Sequence, residues 1–150
     1  IFVPLHIPTY LRPKDFETFY WPTFKKMIDT MVENECTPIL FMEGNWEPYY
    51  DFINDLPKKK VVGLVESGDF KKMKAAIGDT ICIMGGMPVD VINHSTKEEA
   101  VKYTEKLIDD LAPGGGYIFA LDKVLIAPND ANPENLKAVL QTVSKYGQYK

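Results

Sequence analysis

Glu43, Glu66 and the pair Asp122-Lys123 each stand directly after a short apolar run, in the contexts EGNW, ESGD and DK. Carboxylates and an ammonium so placed can exchange protons, hold the charged groups of a substrate or meet a cation. Glu43 is the sharpest candidate. Phe41, Met42 and Trp46 surround it in sequence, and Gly44 lets the backbone turn close to a ligand. Partial desolvation there would suit acid–base work or metal ligation, and capping of the next helix is the plainer alternative. Gly85-Gly86-Met87-Pro88 follows a third apolar run and could bring backbone N–H groups to an anion at the start of a short helix over 89–93. Gly114-Gly115-Gly116 precedes its strand and so reads as a turn on the opposite edge. His94 reads as a solvated loop residue. His6, in the apolar leader IFVPLHIPTYL, could reach the same edge as the acids, but nothing in the sequence pairs with it. Polar residues also end strands simply because loops are wet, so the arrangement of three acids and one lysine has to be judged from what positions them.

Four apolar runs act as the candidate strands: Thr37–Met42, Val61–Val65, Ile81–Met84 and Tyr117–Leu121. Each is continuous rather than alternating, the pattern of parallel strands covered on both faces. A helix signal follows each run. The first is 46–56, with Tyr49, Phe52, Ile53 and Leu56 inward. The second is capped by Asp69, carries Phe70, Met73 and Ile77, and stops at Gly78. The third opens on the capping box Ser95-Thr96-Lys97-Glu98, with Val101, Thr104, Leu107, Ile108 and Leu111 as its stripe. The fourth has Asn132 as cap, Pro133 at its first position and Leu136, Val139, Leu140 and Val143 as its apolar face. A long helix from Pro13 to about Glu33 precedes them, with the stripe Phe16, Phe19, Tyr20, Phe24, Met27, Ile28 and Met31 and a kink expected at Pro22. The aromatics of that stripe read as core. Such a series is one domain over residues 1–150, either an open doubly wound sheet or part of a barrel. Both put functional groups at the carboxyl ends of strands.

Composition narrows the classes. The 150 residues are 45% apolar and 25% charged, with net charge −4, which excludes a broad nucleic-acid surface. No apolar stretch nears about 18 residues, so no membrane span is expected. There is no secretory leader pattern. Cys36 and Cys82 fit no disulfide or zinc spacing, and a reducing cytoplasm is the expected home. P-loop, G-x-G-x-x-G, H-E-x-x-H and G-x-S-x-G patterns are missing. A start at Ile1 suggests a processed chain or a piece of a longer one.

Three longer segments resemble the uroporphyrinogen decarboxylase family. LRPKDFETFYWPTFKKMID is similar to its proline-led F-x-x-F-x-x-P segment. ICIMGGMPVDVINHSTKEEAVKYTEKLIDDLAPGGGYIFAL is similar to its strand, Gly-Asn-x-x-Pro loop and T-x-E-E-V helix, and NPENLKAV to its closing P-E-N/H-x-x-A helix. The resemblance implies an α/β fold of parallel βα units forming the C-terminal half of a (β/α)8 TIM barrel, with the N-terminal half absent. It also implies an enzyme of one of two kinds. Decarboxylases of the family act on a tetrapyrrole and have a histidine where Lys123 stands. The corrinoid-linked and thiol methyltransferases hold zinc with His-x-Cys-Gly and a later cysteine, where this chain has Phe41-Met42-Glu43-Gly44 and Lys123.

The expected site therefore has Glu43 and Lys123 as catalytic groups, Lys123 facing Glu43 across the barrel mouth or pairing with Glu43 or Asp122 as a structural ion pair. Glu66, Gly85, Gly86 and Asp122 would contact substrate. No metal ligands are expected, since one oxygen ligand remains and Lys123 repels a cation. The chain itself would carry no cofactor; a corrinoid would sit on a partner protein as methyl carrier. The expected partners are a small-molecule or tetrapyrrole substrate, the missing half of the barrel, that corrinoid protein and a second copy of the chain. The methyltransferase-like branch is favoured over uroporphyrinogen decarboxylation, and a stand-alone non-catalytic α/β binding module is the alternative from another class.

Overall fold

The computed structural model describes residues 1–7 and 10–148. Five parallel strands lie in one sheet in chain order: β1 (Phe2–Leu5), β2 (Ile39–Met42), β3 (Val62–Val65), β4 (Cys82–Met87) and β5 (Tyr117–Leu121). Their register is continuous, so Phe41 lies between Pro4 and Leu64, and Leu64 pairs with Met84. The helices are α1 (Pro13–Asp15), α2 (Trp21–Glu33), α3 (Tyr50–Asn54), α4 (Phe70–Ile77), α5 (Val89–His94), α6 (Lys97–Leu111) and α7 (Pro133–Tyr146).

β1 lies in the apolar leader and adds a fifth strand to the four expected. Pro4 argues against a strand because it cannot donate to a ladder, yet an edge strand tolerates it, and β1 pairs only with β2. Thr37–Met42 is therefore not an edge. The leader's Pro8 and Thr9 lie outside the described residues.

Strand order equal to chain order decides between the two candidate architectures. Parallel crossovers are almost always right-handed, so sequential strands put every connecting helix on one face, as in a barrel and not in a doubly wound sheet. Burial follows suit. Leu40, Met42, Val65 and Ile83 are buried, while Phe41, Leu64 and Met84 between them are only half-buried and Ile118 is exposed. One face is thus covered by helices and the other is left partly open, against the expectation of cover on both.

The helices start where their caps put them. Asp69 accepts from Lys72 N at 3.0 Å, and Asn132 accepts from Glu134 N and Asn135 N. The capping box of α6 is Thr96 with Glu99, one residue later than expected. The long first helix is broken by a π-helical turn, Phe16–Tyr20, rather than bent at Pro22 alone. That extra residue per turn rotates the stripe, so Phe16, Trp21, Phe24 and Ile28 are buried while Phe19 is 78% exposed. Phe16 sits among Tyr20, Trp21, Trp46, Tyr49 and Phe52, with ring centroids 4.7–6.2 Å away. The expected helix 46–56 is a 3₁₀ turn, Glu47–Tyr49, running into α3. On α7 the buried residues are Asn135, Ala138 and Val139, and Leu140 faces out.

Candidate active site at the carboxyl rim

All five strands are parallel, so the residues that follow them share one edge. His6 follows β1, Glu43 follows β2, Glu66 comes after β3, Pro88 after β4 and Asp122 after β5. Gly114–Gly116 precede β5 and lie on the opposite edge, at φ of 78°, 77° and 67°. There Lys74 Nζ donates to Gly115 O, a contact that holds a turn.

Within the rim each acid has a distinct task. Glu66 Oε2 accepts from Gly44 N at 3.3 Å and so ties the β2 loop to the end of β3. Asp122 Oδ1 accepts from Val89 N at 2.9 Å, holding the first N–H of α5 against the end of β5. Glu43 differs from both. Its backbone carbonyl accepts from Trp46 Nε1 at 3.1 Å, which fixes the loop around it. Its side chain is 22% exposed and pairs with His6 Nδ1. Its Oε2 is buried and has no hydrogen-bond partner among the described residues, with His6 Nδ1 lying against it. The imidazole beside it is 65% exposed.

Two expected features are corrected. Lys123 is exposed and makes no ion pair or hydrogen bond among the described residues, so it is paired with neither Glu43 nor Asp122. β3 and β4 separate β2 from β5, which at roughly 4.8 Å per strand puts Glu43 and Lys123 about 14 Å apart along the sheet. Gly85 and Gly86 do not form a loop but belong to β4 and are buried. Their φ values of 117° and 91° explain why glycine stands there. A Cβ on Gly85 would come within 2.5 Å of Val65 O, and one on Gly86 within 3.0 Å of Leu107 Cδ1. The Gly85 carbonyl accepts from the Tyr117 hydroxyl at 3.0 Å.

His6 is the rim residue that sequence reasoning left without a partner. A signal was present: Ile1–Leu5 is an apolar run ending on an ionisable residue, as the other strands do. Beyond β5, the segment 122–132 carries Lys123 and the exposed Val124 and Ile126. It is held by Asp130 Oδ2, which accepts from Ile126 N at 2.6 Å and Ala127 N at 2.7 Å. Those two bonds, Ala127's first, keep the Asp130 carboxyl below its usual range. Burial pushes the Cys82 thiol up, which makes it a poor nucleophile. A cleft of about 350 Å³ lies between α4 and α6, lined by Asp69, Tyr103, Lys106 and Asp110. It takes none of the rim groups.

The sequence pattern of the uroporphyrinogen decarboxylase (URO-D) family matches residues 1–146. The chain belongs to that family. Its fold is similar to that of a methyltransferase from Methanosarcina mazei, with a TM-score of 0.75 at 18% identity. The likeness covers 99% of this chain and 42% of the methyltransferase, so the chain spans less than half the length of that neighbour. No curated protein matches it in sequence. The zinc of the family's methyltransferase branch does not fit the residues present. Among the described residues no three His, Cys, Asp or Glu side chains gather as ligands, and His6 with Glu43 supplies only two donors. No helix among the described residues is long and apolar enough to cross a membrane.

Proposed function

We propose that this chain is the C-terminal part of a (β/α)8 barrel enzyme of the methyltransferase-like branch, whose full-length form moves a methyl group between a corrinoid carried by a partner protein and a small substrate. The observation that supports the reading is the singly wound five-stranded arc with an ionisable His6–Glu43 pair at its carboxyl edge, where barrel enzymes keep their chemistry. An eight-stranded barrel needs three strands beyond these five, more than half a barrel being present already. Those strands, and further substrate contacts with them, would come from the rest of the protein. The methyl carrier would be the partner's, with no cofactor held by this chain. Glu66 and Asp122 would shape the mouth by fixing its loops, and Lys123 would offer a cation to an anionic group at its outer margin.

The test is to give the full-length protein two substrates side by side. Methyl transfer from a methylated corrinoid protein to a thiol, with no release of carbon dioxide from uroporphyrinogen III, supports the reading. Conversion to coproporphyrinogen III would place the protein in the decarboxylase branch instead. An upstream reading frame without further βα units would favour the stand-alone binding module. The isolated chain should turn over neither substrate.

A further inference from the structure

We infer that the cleft between α4 and α6 is a binding site for a small, flat aromatic carboxylate, which the rings of Phe70 and Tyr103 hold and the Tyr103 hydroxyl and Lys71 ammonium recognise. The site lies in the helical layer, apart from the rim, and does not depend on the methyl-transfer reading. α4 follows β3 and α6 comes after β4, both interior strands of the arc. The cleft is therefore complete without the strands that would close a barrel.

The apolar walls set the shape of the guest. The cleft holds about 350 Å³, room for a ligand of one or two rings. Phe70 lines it from α4 and Tyr103 from α6, and both side chains are half-buried. Neither ring has an aromatic neighbour among the described residues, unlike the rings gathered around Phe16. Buried Leu107 adds an apolar floor. A ring without a ring partner, bordering a cleft, offers its face or edge to a flat guest, and such contacts are worth more than the area they cover.

The polar groups set its charge. Both acids of the cleft are committed: Asp69 Oδ1 accepts from Lys72 N at 3.0 Å to cap α4, and Asp110 pairs with Lys106. Lys71 makes no ion pair or hydrogen bond among the described residues, and the Tyr103 hydroxyl makes no hydrogen bond there. Burial raises the Tyr103 phenol above its ordinary range, while Lys106 draws it down and Asp122 pushes it up. At neutral pH it is a protonated donor. The uncommitted groups are thus a hydroxyl and an ammonium, which together suit an acceptor bearing negative charge. Asp69 and Asp110 oppose a guest of higher charge, such as a phosphate ester. A single carboxylate on a flat ring answers both the walls and the donors.

The experiment titrates the full-length protein with 2-naphthoate, 2-naphthamide and hexanoate by calorimetry. 2-Naphthoate should bind one to one, with a Kd on the order of 0.1–1 mM. The neutral amide should bind about three-fold more weakly, since the charge it lacks meets an exposed lysine. Hexanoate, which has the carboxylate without the ring, should bind about ten-fold more weakly. Tyr103→Phe keeps the ring and removes only an oxygen without a partner, so the fold should survive; it should weaken 2-naphthoate about 3–10-fold. Lys71→Gln should bring the acid and the amide to the same affinity. Lys14→Gln, on α1, is the control and should change nothing. Selective binding that Tyr103→Phe weakens and Lys14→Gln leaves alone supports the site. Three results overturn it: no saturable binding well above that concentration range, hexanoate as tight as 2-naphthoate, or a Tyr103→Phe protein that binds as before. An amide as tight as the acid in the unmutated protein overturns the assignment of a carboxylate.

Discussion

Asn135 offers the sharpest test of how the rim is held. It lies in the first turn of α7 with its side chain 5% exposed. Its Nδ2 donates to Ile92 O at 2.9 Å and Ser95 O at 2.8 Å. Both acceptors belong to the end of α5, where helix geometry leaves carbonyls without partners. Asn135→Ala removes both donors and leaves one buried and one half-buried carbonyl unpaired. Each such loss costs about 1–3 kcal/mol, and water can reach the Ser95 side, so a total of about 2–4 kcal/mol is expected. A domain of this size has only about 5–15 kcal/mol to lose. With a urea m-value of about 2 kcal/mol/M, the unfolding midpoint should fall by about 1–2 M at unchanged m. Asn135→Asp should be no better, since it sets a carboxylate against two carbonyl oxygens. Asn132→Ala, which loses only the cap of α7, should cost about 1 kcal/mol. Protein concentration must be constant across the series if the chain associates. A drop of less than about 0.5 kcal/mol for Asn135→Ala would mean that the α5–α7 tie contributes nothing net, and the account of the closing helix would fail.

Three other outcomes are expected. The Asp130 carboxyl is depressed in the folded chain by its bonds from Ala127 and Ile126; its hold on the 122–132 loop is therefore complete above the ordinary aspartate range and is lost as pH falls through the lower folded value. The amide shifts of Ile126 and Ala127 should titrate below that range and lose the transition in Asp130→Ala, and a titration at the ordinary position would refute the anchoring. The chain should self-associate at micromolar concentration in sedimentation, because β1 and β5 have open edges and the sheet keeps a half-exposed apolar face; a clean monomer that binds no hydrophobe-sensing dye would contradict this. Purified chain, dialysed and measured by elemental analysis, should hold well under one equivalent of zinc; about one equivalent would mean that a ligand set has been overlooked.

What could be read from the sequence follows a physical line. β2 to β5 were legible because parallel strands are continuous apolar runs, and the starts of α4 and α7 because a side-chain cap is a local device. β1 was not, because Pro4 is a bar to a central strand and only neighbours in space make β1 an edge. Asn135 was missed for a related reason. Apolar periodicity pointed to Leu136 and Leu140, whereas the buried face is set by an amide satisfied forty-odd residues upstream, at Ile92 and Ser95. The rim repeats the pattern. That Glu43, Glu66 and Asp122 stand at strand ends could be read from each run separately, whereas the partner of each depends on which strand lies beside it. Lys123 looked like the counter-charge of Glu43 because both end strands, yet β3 and β4 lie between their strands. His6 looked solitary because its strand was unrecognised. Placing β1 beside β2 changes the neighbour of the rim carboxylate, from the lysine that the strand ends suggested to the imidazole of His6.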